Sequence, residues 1–135
     1  MGRSVLILLD THVVIWLSYD FGWISPKAQE TIKEARKKER GLAVSAMTLI
    51  EIAMLSSYGR VRLTPDLDTF LSEVEQRLVV VPITANISRQ AFELPAGYPK
   101  DPVDRVVGAT ALIEDLPLLT ADREIRRTRA IPTIW

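Results

Sequence analysis

The stretch SVLILLDTHVVIW, residues 4–16, joins the pattern of a buried strand to an acidic side chain. Five consecutive apolar residues, 5–9, have the length and the branching of a strand that is buried on both faces of a parallel sheet. They run directly into Asp10, and apolar residues resume at Val13. Because an ionised carboxylate beside a buried strand is costly to desolvate, we expect a cationic group to lie against Asp10.

Length and composition favour one compact domain. The chain has 135 residues, and a chain of this size buries about 68–70% of the surface that it exposes when unfolded. We therefore expect a single domain over residues 1–135. The sequence has no cysteine, which excludes disulfides, thiolate metal sites and a cysteine nucleophile and favours a reducing cytoplasm.

Charge and hydropathy exclude two further classes. The 17 Lys and Arg residues balance the 17 Asp and Glu residues, so the chain has no overall basic field that would favour nucleic acid. The N-terminal apolar run is too short to span a membrane, and Asp10 follows it without a small-residue cleavage site. We expect neither a membrane segment nor a signal peptide, and a cytoplasmic protein.

Predicted strands and helices alternate along the rest of the chain. Ser25, Ser45 and Asp101 precede apolar-periodic segments in the manner of helix caps. The predicted order after the first strand is helix 25–40 closed by Gly41, strand 42–44, helix 46–59, helix 65–76, strand 78–83, helix 84–94, helix 101–115, strand 117–120, helix 121–127 and strand 131–135. This alternation predicts an α/β fold with a right-handed, doubly wound parallel sheet.

Four carboxylates differ from the other acidic residues, which lie on polar faces. Asp10 and Asp122 follow predicted strands, so both should project into the crevice at the carboxyl ends of a parallel sheet, where ligands bind. Glu51 has no cation three or four residues away along its helix and so no local ion-pair partner. Asp104 lies in the first turn of its helix above small side chains.

Each of the four also has a purely structural interpretation, and one divalent cation accounts for all of them together. Clustered carboxylates raise one another's pKa unless an ion neutralises them. Oxygen ligands without a His or Cys cluster favour Mg²⁺ or Mn²⁺ over Zn²⁺. The structural alternatives are a capping box of Asp101 and Asp104, a helix cap at Asp122, a turn at Asp10 and, for Glu51, solvent or a distant arginine such as Arg105.

Two other protein families have acidic residues at strand ends, but this sequence lacks a residue that each of them requires. A haloacid-dehalogenase-like phosphatase needs a second aspartate two residues after the first, and that position is His12. A response-regulator receiver needs a lysine late in the chain, and no lysine follows Lys100.

Four segments resemble, in order, the motifs of PIN-domain nucleases. They are LLDTHVVIWL (8–17), SAMTLIEIAML (45–55), DPVDRVVGATAL (101–112) and LLTAD (118–122). Over nearly its whole length the chain is similar to the small VapC-type ribonuclease toxins, in particular to the branch with LLDTH and DPxDR. The resemblance implies a three-layer PIN-like domain with a parallel β-sheet flanked by helices.

The resemblance also implies a catalytic site and a reaction. Asp10, Glu51 and Asp104 match the acidic metal site, Asp122 matches its fourth member, and the supporting hydroxyls match Thr11 and Thr120. The implied reaction is hydrolysis of RNA phosphodiester bonds with Mg²⁺ or Mn²⁺ as cofactor. Relatives often have histidine and arginine just before DPxDR, where this chain has Tyr-Pro-Lys at 98–100.

Substrate and partner contacts follow from two further segments and from the resemblance. The segment REIRRTR places Arg123, Arg126 and Arg127 directly after Asp122, as an RNA-binding patch or as a solvated helix end. His12 is expected to orient its loop rather than act as a base, and the aromatic residues in 16–23 to pack the first helix or meet a partner. The resemblance implies a homodimer and a VapB-type antitoxin whose C-terminal segment occupies the active-site groove.

The sequence thus predicts the toxin of a toxin–antitoxin pair, a Mg²⁺-dependent ribonuclease. The alternative is a non-catalytic PIN-like module that binds RNA or protein and keeps the acids as a structural cation site.

Overall fold

The computed structural model describes residues 6–38 and 41–135. Strands and helices alternate for most of the chain, with one short 3₁₀ turn at Phe21–Trp23. The elements are β1 (Ile7–Leu9), α1 (Thr11–Tyr19), α2 (Pro26–Arg36), β2 (Leu42–Ser45), α3 (Ala46–Ser57), α4 (Leu67–Arg77), β3 (Val79–Val81), α5 (Ala85–Ala91), α6 (Pro102–Glu114), β4 (Leu118–Leu119), α7 (Arg123–Thr128) and β5 (Thr133–Ile134).

The five strands form one parallel sheet in the order β3-β2-β1-β4-β5. β1 lies at the centre, with Leu8 paired to Ala43 on one side and to Leu118 on the other. The chain moves from β1 to β2 and β3 in one direction and then returns to β4 on the opposite side. The carboxyl ends of β1 and β4 therefore flank the topological switch point, where open parallel sheets bind ligands.

Helices cover both faces of the sheet, which gives three layers. Ile7 and Leu9 point into one apolar cluster, with Ile32 of α2 and Phe70 of α4. Leu8 points into a second cluster, which includes residues of α6 and α7. This alternation confirms a strand buried on both faces, but β1 begins at Ile7: Leu6 lies outside the strand, and residue 5 lies outside the described residues.

Capping side chains determine where the helices begin. Each of the seven α-helices in residues 6–38 and 41–135 follows a residue whose side chain accepts a backbone hydrogen bond from the first turn, as helix N-caps do. These residues are Asp10, Ser25, Ser45, Asp66, Thr84, Asp101 and Asp122. Asp10 and Asp122 cap helices directly after β1 and β4, so the backbone turns sharply at both positions.

The fold class is confirmed, and the predicted elements occur in the predicted order. The sequence analysis missed α1 between β1 and α2, and several predicted boundaries were wrong. The second helix ends at Arg36 rather than near residue 40, with Lys37 as its C-cap, and residues 39–40 lie outside the described part. α4 begins at Leu67 because Asp66, not Pro65, is its N-cap. The other corrections are that α3 ends at Ser57, β3 covers Val79–Val81, α5 covers Ala85–Ala91, α7 runs to Thr128, and β4 and β5 have two residues each.

None of the described helices combines the length and the apolar composition that a membrane span needs.

Candidate active site

A cavity of about 300 Å³ lies at the carboxyl ends of β1 and β4. All four carboxylates that the sequence analysis selected line it. They come from four places in the chain: the β1–α1 junction, α3, the first turn of α6 and the β4–α7 junction. The lining residues are Asp10, His12, Val13, Trp16, Glu51, Asp101, Asp104, Ala121 and Asp122, and we call this cavity the acidic pocket.

Hydrogen bonds fix both carboxylate oxygens of Asp10. The backbone N–H of Thr11 donates to Oδ1 at 2.8 Å, and the Thr120 hydroxyl donates to Oδ2 at 2.7 Å. Burial raises the pKa of Asp10, and the hydrogen bonds from Thr120 and Thr11 offset part of this effect. The group that lies against Asp10 is therefore a pair of neutral donors rather than a lysine or arginine.

The two threonines differ in what their hydroxyls contact. Thr120 is fully buried, and its hydroxyl oxygen also accepts from the backbone N–H of Asp122 at 3.1 Å. It therefore connects two of the carboxylate residues. The buried Thr11 hydroxyl donates to Thr48 Oγ1 at 3.1 Å and so ties α1 to α3. Thr11 contacts Asp10 through its backbone N–H.

Glu51 is half-buried on α3 without an ion-pair partner in the described part of the chain. Burial raises its pKa, and the charge of Asp10 raises it further. Arg105, the partner considered in the sequence analysis, instead donates to the carbonyl oxygens of Ala91 and Tyr98, both at 3.2 Å.

Asp104 is a third carboxylate of the pocket with a raised pKa. Burial, followed by the negative charges of Asp10 and Asp101, raises the pKa of Asp104 to about 7. Asp101 caps α6 by accepting from the Val103 N–H at 2.8 Å. The Asp104 carboxylate makes none of the hydrogen bonds found among the described residues, so the reciprocal bond of a capping box is not formed there.

Asp122 caps α7, as its structural interpretation predicted. Its Oδ1 accepts from the backbone N–H of Ile125 at 3.1 Å. Asp122 also lines the acidic pocket, so the same side chain caps a helix and belongs to the candidate site.

Uncompensated negative charge is the main electrostatic property of the pocket. Within residues 6–38 and 41–135, the ion pairs are Lys37–Glu34 and Arg89–Glu93, and both are exposed and remote from the pocket. As the side chains stand, no three acidic or imidazole groups of the described residues are close enough to hold one metal ion. The oxygen donors suit a hard cation, and its binding would require these side chains to draw closer together.

Sequence reasoning missed two residues that line the pocket, Asp101 and Trp16. Asp101 was considered only as a helix cap, although it lies one helical turn before Asp104 and on the same side of α6. Trp16 follows His12 by four residues on α1, a spacing that places both on one face of the helix. That spacing could have predicted that Trp16 lies near the site together with His12.

Four arginines surround a second cavity of about 360 Å³ beside the acidic pocket. They are Arg123, Arg126, Arg127 and Arg129, and we call this cavity the arginine pocket. Arg126 donates to the carbonyl of Ala121, which lines the acidic pocket, at 3.5 Å. The Arg126 Nε atom is buried and has no hydrogen-bond partner among the described residues.

Comparison with known proteins identifies the family. The model of the PIN domain matches residues 7–131. The chain belongs to the PIN-domain family. Among PIN-domain relatives, it is 33% identical over 131 residues to Ribonuclease VapC22 of Mycobacterium tuberculosis, covering 96% of this chain and 98% of that protein.

Solved structures share the PIN fold. VapBC2 from Rickettsia felis, bound to a DNA fragment from its promoter, has a TM-score of 0.71 at 15% identity, covering 96% of this chain and 97% of that chain. DNA-bound VapBC from Salmonella typhimurium has a TM-score of 0.68 at 22% identity, covering 96% of both chains. VapBC-1 from nontypeable Haemophilus influenzae has a TM-score of 0.71 at 15% identity, also covering 96% of both chains. These likenesses establish the arrangement of the sheet and helices.

Proposed function

We propose that this PIN-domain protein is a metal-dependent ribonuclease and the toxin of a VapBC-type toxin–antitoxin module. The observation that carries the proposal is the acidic pocket, in which four carboxylates from distant parts of the chain share one cavity without a lysine or arginine. Leaving such charges together costs free energy in a stable fold, so a function that uses them must account for their presence. The identity to Ribonuclease VapC22 supports the choice of RNA as substrate.

The donor set supports Mg²⁺ or Mn²⁺ as the cofactor. The carboxylates offer oxygen ligands, which hard divalent cations prefer, and the chain has no cysteine. Asp10, Asp104 and Asp122 would hold the ion, and Glu51 would ligate it directly or through water. When bound, the ion would lower the pKa of a water molecule and offset the charge that develops on the scissile phosphate.

The chain's own residues would orient the site. Thr120 and the Thr11 N–H fix the rotamer of Asp10, so its carboxylate faces the pocket before any ligand arrives. Partners of this kind orient ligand side chains and tune their basicity. Glu51, with its raised pKa, is placed to accept a proton from the attacking water or to orient that water.

The arginine pocket supports a contact with the RNA backbone. Guanidinium groups bind phosphate oxygens through two parallel hydrogen bonds, and four of them line this cavity. Arg123 and Arg127 are exposed beside it. A backbone held there would lead into the acidic pocket through the Ala121 contact.

Partners follow from the relatives and from exposed apolar side chains. Solved neighbours are VapBC complexes, which supports a VapB-type antitoxin as partner of this chain. Ile50 and Met54 lie one turn apart on α3 and are 53% and 40% exposed, as at a surface that a second copy would cover in a homodimer. A cytoplasmic location agrees with the absence of cysteine.

One observation favours a second candidate, a PIN-like module that binds RNA or protein without cleaving it. As the side chains stand, no three potential ligands among the described residues are close enough to hold one ion. In that case the acids would form a structural cation site, and RNA would bind without turnover.

The test is cleavage of total RNA by purified protein with Mg²⁺ or with EDTA, for the wild type and for Asp10→Asn. We expect degradation only by the wild type with Mg²⁺. Loss of a partner of a metal ligand costs about 10–100-fold in activity, so loss of a ligand should cost at least about 100-fold. Glu75→Gln, an exposed acid on α4, is the matched control and should retain activity.

Two outcomes would decide against the ribonuclease. Equal degradation of RNA with Mg²⁺ and with EDTA would show that the reaction does not need a divalent metal ion. RNA binding without metal-dependent cleavage by the wild type would favour the non-catalytic module.

A further inference from the structure

Three tryptophans and one histidine form an aromatic cluster at the rim of the acidic pocket. Trp16 lies at its centre, with ring centroids 6.1 Å from His12, 5.9 Å from Trp23 and 6.0 Å from Trp135. His12 and Trp16 also line the acidic pocket itself. We call His12, Trp16, Trp23 and Trp135 the aromatic cluster.

Core packing explains only part of this cluster. Trp16 and Trp135 pack against the apolar cluster on one face of the sheet and are half-buried. Trp23 is 70% exposed, although tryptophan is highly buried on average in folded proteins. Trp23 adjoins the half-buried Trp16, which in turn adjoins Trp135, so the three rings form one contiguous apolar patch, which is typical of a binding surface.

The geometry of the rings leaves faces available for another planar group. Trp16 meets His12, Trp23 and Trp135 at interplanar angles of 48°, 45° and 53°, so these contacts are tilted rather than stacked. The exposed side chains of the cluster are Trp23 and His12. A nucleobase is flat and apolar on both faces, and base–aromatic stacking tolerates every base because each has such a face.

The charges around the acidic pocket favour nucleic acid over an apolar peptide. The aromatic cluster borders the pocket through His12 and Trp16, and the arginine pocket borders it through Arg126 and Ala121. A polymer that meets both neighbours must offer planar apolar groups and negative charges along one chain. Single-stranded nucleic acid has this combination, because its bases are free to stack and its backbone carries phosphates.

We propose that the aromatic cluster is a nucleobase-stacking site that holds an unpaired base of single-stranded RNA beside the acidic pocket. This inference rests on the proposed function for its choice of RNA. In a duplex the bases are paired and stacked on one another, so they cannot lie against Trp23 and His12. The site would therefore restrict the substrate to single-stranded segments such as loops and ends.

The test measures binding rather than cleavage. A short single-stranded oligoribonucleotide with a fluorescent end label is titrated with protein in EDTA, and binding is followed by fluorescence anisotropy. Because Trp23→Leu removes one base–aromatic stack, we expect it to weaken binding roughly tenfold. Tyr58→Leu replaces an aromatic residue that is 68% exposed on the far end of α3, and it should bind like the wild type.

Two further probes separate stacking from a general loss of affinity. An oligonucleotide with an abasic backbone keeps the phosphates and lacks the bases, so wild type and Trp23→Leu should bind it equally weakly. The duplex form of the same sequence should also show no difference between the two proteins. A Trp23→Leu defect of equal size on all three probes would overturn the stacking site.

The stacking site would also be overturned if Trp23→Leu bound the single strand as tightly as the wild type does. A wild-type protein that binds no RNA would overturn it too, and would favour a protein partner for the aromatic cluster. These results are independent of the cleavage test. If Asp10→Asn abolishes cleavage while Trp23→Leu binds normally, the ribonuclease stands and the stacking site fails. If Trp23→Leu binds poorly while cleavage ignores Mg²⁺, the stacking site stands and the metal-dependent nuclease fails.

Discussion

Thr120 holds two members of the acidic pocket at once. Its hydroxyl donates to Asp10 at 2.7 Å and accepts from the backbone N–H of Asp122 at 3.1 Å, and the side chain is fully buried. The hydroxyl thus fixes the direction of one carboxylate and the position of the next. Thr120 thus positions the carboxylates that would bind the ion, although it has no carboxylate of its own.

Replacing Thr120 by valine removes this hydroxyl and keeps the shape of the side chain. We expect Thr120→Val to reduce Mg²⁺-dependent activity about 10–100-fold, because Asp10 loses the donor that orients it. Thr120→Ser retains the hydroxyl and should stay within a few-fold of the wild type. Activity at saturating Mg²⁺ and Mg²⁺ affinity are the measurements, and equal activity of the valine and serine variants would contradict this role.

The raised pKa of Asp104 should make the stability of the metal-free protein depend on pH. Its pKa rises from an ordinary value of 3.8 to about 7, mainly through burial. Between these values the folded state binds the proton and the unfolded state does not, so stability decreases as the pH rises through about 7. We expect the Tm in EDTA to fall between pH 6 and pH 8.

Asp104→Asn is the control for this effect, because it has no proton to lose. It should remove most of the slope between pH 6 and pH 8 and leave a fold at least as stable as the wild type at pH 8. Calorimetry in EDTA measures both. A slope of equal size in the variant would show that another group causes it.

At the scale of elements, α6 depends on one glycine for its position against the segment that precedes it. A Cβ at Gly108 would overlap the Tyr98 ring, which is almost fully buried. The Tyr98 hydroxyl donates to the backbone carbonyl of Asp104, and Arg105 donates to the carbonyl of Tyr98. The packing of Tyr98 against Gly108 therefore fixes the first turn of α6, where Asp104 lies.

Gly108→Ala should be destabilising although alanine is the better helix former. Overpacking costs about 1–3 kcal/mol, and the gain in helix propensity is about 1 kcal/mol, so the free energy of unfolding should fall. Gly97→Ala, where a Cβ would meet open space, should leave stability unchanged or slightly increased. Urea unfolding compares the two, and a stabilised Gly108→Ala would contradict this packing.

The type and order of most elements could be predicted from the sequence, because caps and apolar periodicity are local, but α1 was missed. The first strand and the α6 start are examples, where a buried run ends at Asp10 and where Asp101 and Pro102 begin a helix. Boundaries were less accurate, because a residue such as Thr84 or Asp66 becomes the cap only when its side chain reaches a particular backbone N–H. The wrong helix start at Pro65 has this cause.

At the scale of the whole molecule, the strand order creates the pocket. β1 and β4 are neighbours in the sheet, so Asp10 and Asp122 are brought together although 112 positions separate them. Motif resemblance could predict that these carboxylates share a site. Local patterns could not predict that Trp135 reaches Trp16, because this contact depends on how distant elements pack. The single domain over 1–135 and the roles of the site residues stay predictions.

The claim that the four carboxylates bind a divalent ion is tested most directly by anomalous scattering from crystals grown with Mn²⁺. We predict an anomalous peak in the acidic pocket, with Asp10, Asp104 and Asp122 as ligands and Glu51 in contact directly or through water, and no such peak for crystals of Asp10→Asn. Well-ordered crystals with Mn²⁺ at other sites and no peak among these side chains would contradict it.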